Sequence, residues 1–144
     1  MKTPQNTTTF EYYNANPKGN KTNDCVVRAI ATATGKSWDE VFDALCEIAQ
    51  KDKLMPNDEK CYGKYLKSLG WKKVGQPRKA DNKKYTAAEW CEKLLAYNNK
   101  QPRLVNVGCR HITCIKPIDG KYKVFDTWDC TNNCVGISWL PDNQ

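Results

Sequence analysis

Apolar residues recur at helical spacing through the first two thirds of the chain and switch to alternation with polar residues in the last third, so the chain reads as helices first and strands last. The run Cys25 to Thr34 follows two residues suited to capping a helix start, Asn23 and Asp24, and stops at Gly35, which predicts a first helix beginning at Cys25. Ser37 and Glu40 have capping-box spacing, and Val41, Phe42, Leu45, Ile48 and Ala49 form the apolar stripe of a second helix running to about Gln50. A third helix, from about Asp58 to Leu69, sets Tyr62, Tyr65, Leu66 and Leu69 on one side and Lys60, Lys64 and Lys67 on another, with Gly70 as its stop. Trp71 to Val74 reads as a short strand. Thr86 and Glu89 repeat the capping box for a fourth helix, whose Trp90, Cys91, Leu94 and Leu95 are expected to face inward.

From Pro102 onward β-branched and aromatic residues dominate, in segments Leu104 to Ile118, Lys121 to Trp128 and Val135 to Leu140. Asp119-Gly120 is a strong two-residue hairpin turn between the first two segments. Helices followed by an antiparallel sheet predict an α+β fold. Residues 1 to 22, rich in Thr and Asn, read as an extended arm pinned by Phe10, Tyr12 and Tyr13. The length fits one domain spanning residues 1 to 144, with five Trp, seven Tyr and three Phe supplying bulky core material.

Charge and cysteine content narrow the classes. The net charge is +7, and the whole excess lies between Lys51 and Lys84, where eleven basic residues face four acidic ones. That stretch is expected to be a solvated face able to meet an acidic partner; it lacks a nucleic-acid-binding motif, and a nucleic-acid partner is not expected. No run of about 18 apolar residues occurs, and the N-terminal residues are polar, so neither a membrane span nor a signal peptide is expected. With eight cysteines and no secretion signal, free thiols in a reducing, cytoplasmic setting are the expectation.

His111 is the only histidine and falls in a predicted strand. If Asp119-Gly120 closes a two-residue hairpin, Ile118 pairs with Lys121, Asp126 falls opposite Thr113, and Trp128 falls opposite His111. Asp126 and His111 then share a face as diagonal neighbours, with Cβ atoms about 7 to 8 Å apart or somewhat less, within reach of a carboxylate to imidazole hydrogen bond. The competing acid Asp129 would pair with Arg110 on the other face. Cys25 is the best-placed nucleophile, because unpaired N–H groups in the first turn of a helix stabilise a thiolate, and an imidazolium beside it would do so further. The bland alternative makes Cys25 a small buried hydrophobe.

Three segments carry a family resemblance: Asn23-Asp24-Cys25-Val26-Val27-Arg28-Ala29-Ile30, Gly108-Cys109-Arg110-His111-Ile112-Thr113-Cys114-Ile115, and Asp119-Gly120-Lys121-Tyr122-Lys123-Val124-Phe125-Asp126-Thr127-Trp128. Together they resemble the papain-like cysteine peptidases, and more narrowly the small phage and bacterial peptidases similar to bacteriocin-processing peptidases. Asp-Cys-x-x-Arg-Ala is also similar to the ovarian-tumour-type deubiquitinases, but Asp126 following His111 fits the papain-like order better. The resemblance implies a papain-like fold, with the Cys helix in an N-terminal helical half and His and Asp on a C-terminal antiparallel sheet. It implies Cys25 as nucleophile, His111 as general base and then acid, and Asp126 as the residue that fixes the imidazole tautomer. The reaction would be acyl transfer through a thioester, cleaving a peptide or isopeptide bond of a protein or peptide substrate without a cofactor. Those peptidases usually carry a Gln six residues before the Cys, where this chain has Gly19; Asn20 or Asn23, with the Cys25 N–H, are the alternative oxyanion donors. The location implied is the cytoplasm, being the host cytoplasm or the virion for a phage-encoded protein.

Two readings compete. Cys109, Cys114, Cys130 and Cys134, with four and three intervening residues in the two pairs, could form a structural zinc site, and in the hairpin register Cys109 would face Cys130. This would make the chain a zinc-stabilised or basic binding module, with a protein or nucleic-acid partner and without catalysis. An inactive relative that only binds peptides is the other. Trp38, Trp71, Trp90 and Trp139 are expected to pack, whereas Trp128, opposite His111, would shield the His-Asp pair from water.

Overall fold

The computed structural model describes residues 3–97 and 100–142. Its elements are β1 (Phe10–Tyr12), α1 (Cys25–Thr34), α2 (Trp38–Asp52), α3 (Glu59–Ser68), β2 (Trp71–Val74), α4 (Ala87–Leu94), β3 (Arg103–Val107), β4 (His111–Ile118), β5 (Lys121–Asp126) and β6 (Val135–Pro141). The fold is α+β, with the helices gathered early and the sheet completed late.

Local signals account for most boundaries. Gly35 ends α1 in the left-handed conformation at φ 76, returning its N–H to the Ala31 carbonyl. Ser37 accepts from the Glu40 N–H at the start of α2, although the Glu40 carboxylate reaches Lys36 instead of closing the box. At α4 the Thr86–Glu89 box is complete. Asp119 and Gly120 both take positive φ, 51 and 75, the twist a two-residue hairpin requires. Ile118 therefore pairs with Lys121, and the register runs unbroken to Cys114 opposite Phe125.

The six strands form one sheet in the order β1-β5-β4-β3-β6-β2. This corrects the expectation of a purely antiparallel C-terminal sheet: the sheet is mixed, and two of its strands, β1 and β2, precede α4. The arm contributes β1, which runs parallel to β5 with Tyr12 opposite Asp126. Phe10 is its anchor, fully buried, while Tyr13 stays about half exposed. The segment Leu104 to Ile118 is two strands rather than one, divided at Gly108-Cys109-Arg110, and the segment beginning at Lys121 ends as a strand at Asp126 instead of Trp128.

Alternation along β3 divides the core. Leu104 joins Ile112, Cys114 and Trp139 against α1, α2 and α3, whereas Val105 and Val107 join Ile115, Val124 and Val135 against α4. Each large side chain buried in these clusters contributes about 1.5–3 kcal/mol. Two residues expected inside are not: Phe42 is partly exposed and stacks on Trp38, and Leu95 lies just past the last turn of α4 and is exposed. α1 packs on β4, which brings the helix start to the sheet end where β4 begins and β5 stops. No helix among the described residues is long and apolar enough to cross a membrane.

Candidate active site

Cys25 opens α1, His111 opens β4 and Asp126 closes β5, so three chain segments deliver one residue each to the same corner. The His111 Nε2–H donates to Asp126 Oδ2 at 2.6 Å, between a part-buried imidazole and a buried carboxylate. The diagonal predicted from the hairpin is thus realised. With Nε2 committed to the carboxylate, Nδ1 is the ring nitrogen left to face the thiol, and Cys25 lines one cavity wall with His111 and Ile112.

Electrostatics follow from that geometry. Burial disfavours the Cys25 thiolate, but hydrogen bonds from His111 and the Ile112 N–H, and the charges of His111 and Arg28, outweigh it and hold the thiol below its ordinary value. Burial likewise disfavours a charged His111, yet the Asp126 hydrogen bond, contacts with Cys130 and Cys25 and the Asp126 charge lift its pKa to about 11. Asp126 is opposed by burial and held ionised by His111, Thr113 and the Thr127 N–H, so its pKa stays below the ordinary carboxylate value. The arrangement favours a thiolate beside an imidazolium, the charge state from which a cysteine attacks a carbonyl.

The far side of Asp126 is occupied as well. Arg28 Nη1 donates to Asp126 Oδ1 and to Thr127 Oγ1, both at 3.1 Å, while its Nε donates to Asp24 Oδ1 at 2.7 Å. Asp24, the residue at the helix cap, makes no side-chain cap hydrogen bond. Its carboxylate instead takes Arg28 on one oxygen and the Trp38 indole and Asn16 amide N–H groups on the other. Of this set, the i,i+4 spacing of Asp24 and Arg28 was visible in the sequence. Its junction with Asp126 was not, because it depends on α1 meeting the end of β5.

Around the dyad, the Trp128 ring lies 4.9 Å from the His111 ring, inclined by 51°. Asn20 and Asn23 are exposed and line an open cleft of about 540 Å³ together with Trp128, Arg28 and Gly19. A second cavity, of about 300 Å³, borders Cys25 and His111 on the side of Tyr62, Asn106 and Arg110. Asp129 caps its own turn by accepting from Thr131 N and Oγ1, in place of the expected pairing with Arg110.

The four cysteines of the zinc alternative are scattered. Cys114 and Cys130 are fully buried, while Cys109 and Cys134 are exposed, and the Cys109–Cys130 pairing fails because the hairpin ladder ends before reaching either residue. All eight cysteines are free. Among the described residues, the one group whose ligand atoms converge is His111, Asp126 and Cys130, within 4.8 Å of one another. A cation there would face the Arg28 guanidinium across the same carboxylate. The trio is better accounted for by hydrogen bonding, with Cys130 Sγ 3.9 Å from Asp126 Oδ2.

Along the basic stretch, Lys64 pairs with Asp52, Lys73 with Glu59, Lys79 with Glu89 and Lys72 with Asp142. No protein-family model matches the chain, and comparisons with curated proteins and with solved structures find no match.

Proposed function

We propose that this protein is a cysteine peptidase, or a related thiol-dependent acyl hydrolase of papain-like type, with Cys25, His111 and Asp126 as the working set. The single observation that carries the reading is the 2.6 Å bond between His111 Nε2 and Asp126 Oδ2, made by the only histidine, with the Cys25 thiol on that same imidazole. In this reading Cys25 attacks the scissile carbonyl and His111 passes a proton to the leaving amine. Water then hydrolyses the thioester, with His111 accepting its proton. Asp126 keeps the ring in the tautomer that presents Nδ1 to sulfur. The oxyanion would be met by the Cys25 N–H, with Asn20 or Asn23 from the adjoining cleft.

The test is the rate of alkylation of each cysteine against pH, mapped by mass spectrometry, in the wild type and in His111→Ala, followed by a peptide substrate screen. Cys25 is expected to react fastest below pH 7 and to lose that advantage without His111. A Cys25 no more reactive than the exposed Cys109 and Cys134 would sink the proposal.

A further inference from the structure

Polar contacts extend the site beyond the dyad: His111 bonds to the Asp126 carboxylate, Asp126 to the Arg28 guanidinium and Arg28 to the Asp24 carboxylate, with the Cys25 thiol on the other side of His111. We propose that Arg28 is a positioning residue for the reaction, clamping Asp126 so that one carboxylate oxygen is presented to His111, and that Asp24 fixes Arg28 for this task. The proposal rests on the acyl-transfer reading above.

Three observations support the assignment. First, Arg28 divides its donors: Nε serves Asp24 while Nη1 serves Asp126 and Thr127, a fork that a lysine ammonium cannot reproduce. Second, the two oxygens of Asp126 have separate partners, Oδ1 taking Arg28 and the Thr127 N–H at 2.7 Å and Oδ2 taking His111, so the carboxylate cannot rotate without breaking bonds on both sides. Third, Asp24 gives up the usual work of a helix cap, and its other oxygen is held by Trp38 at 2.9 Å and Asn16 at 3.1 Å. The clamp is thereby anchored to α2 and to the arm as well as to α1. The carboxylates are 6% and 3% exposed and Arg28 is 12% exposed, so solvent screens these pairs little. The other groups facing Asp126 are Thr113 from β4 and Cys130.

The experiment uses Arg28→Gln and Arg28→Lys in the full chain, each also made in a Cys25→Ala background. Removing a nearby positive charge makes both Cys25 and His111 harder to deprotonate. Arg28→Gln is therefore expected to raise the midpoint of Cys25 alkylation by about one pH unit. Below that midpoint the rate falls about tenfold, in proportion to the thiolate. The ring ¹⁵N resonances of His111, unambiguous because no other histidine exists, are expected to shift as the Nε2–H bond to Asp126 loosens. Arg28→Lys keeps the charge and loses the fork, so its midpoint should stay near wild type while the ring resonances shift. It also carries the test should Arg28→Gln fail to fold. If both variants keep the wild-type midpoint and ring resonances and lose only thermal stability, Arg28 is a structural ion pair and the proposal is overturned. The two readings fail separately: the resonances report on the clamp in Cys25→Ala protein, where no acylation can occur, whereas an inert wild-type Cys25 overturns the acyl-transfer reading alone.

Discussion

Trp128 stands over His111 with its ring centroid 4.9 Å from the imidazole, yet 41% of its surface remains exposed. It covers the dyad from the solvent side without belonging to either core cluster. Trp128→Ala is therefore expected to cost less than about 1 kcal/mol of stability, as exposed substitutions do. Water would then reach the His111–Asp126 bond, and Cys25 alkylation at neutral pH should slow several-fold. Parallel thermal unfolding and alkylation measurements check this; equal losses in both would make Trp128 simple packing.

The pH window follows from the shifted groups. The His111 pKa is raised from 6.5 to about 11, so its contribution to stability is complete below pH 6.5 and is lost as pH climbs toward 11. Cys25 is lowered from 9.0, so its contribution is present above 9.0 and is lost as pH falls through the depressed value. The thiolate-imidazolium pair should therefore populate between those two folded-state values. Relative to His111→Ala, the wild type should lose its stability advantage in denaturant titrations as pH is taken from 9 to 11. An advantage that grows over that range would contradict the assignment.

Thiol accessibility separates seven of the eight cysteines into classes. Cys91 and Cys114 are buried, with burial pushing their thiols up to about 12, and Cys61 and Cys130 are raised by burial too. Native protein treated with iodoacetamide at pH 6 should label Cys25 first and the exposed Cys109 and Cys134 later. Cys61, Cys91, Cys114 and Cys130 should label only after unfolding, which mass mapping with and without urea reads directly.

Phe10 anchors the arm in the core. Phe10 is 0% exposed and sits in the cluster under α4, while its strand neighbour Tyr12 is paired with Asp126. Phe10→Ala should cost about 3–5 kcal/mol in urea unfolding, the usual range for a buried aromatic. It should also slow Cys25 alkylation, because β1 braces the strand end that holds Asp126. Tyr13→Ala, at a half-exposed position, should change stability by no more than about 0.5 kcal/mol.

Features set by neighbours in sequence could be read without the fold. The Thr86–Glu89 box, the Gly35 stop and the Asp119-Gly120 turn each depend on a few adjacent residues, and each forms where the pattern puts it. The approach of His111 to Asp126 was legible for the same reason, since a two-residue turn fixes register and strand alternation fixes the face. Tertiary structure decided what rests on distant segments meeting. The parallel pairing of β1 with β5 joins residues more than a hundred positions apart, and no local signal specifies it. The exposure of Leu95 and Phe42 depends on where each helix turns away from its neighbours, which periodicity alone does not fix. Arg28 is the plainest case: it lies one helical turn from Asp24, but only the docking of α1 against the end of β5 gives it Asp126 and joins the two ion pairs through one guanidinium.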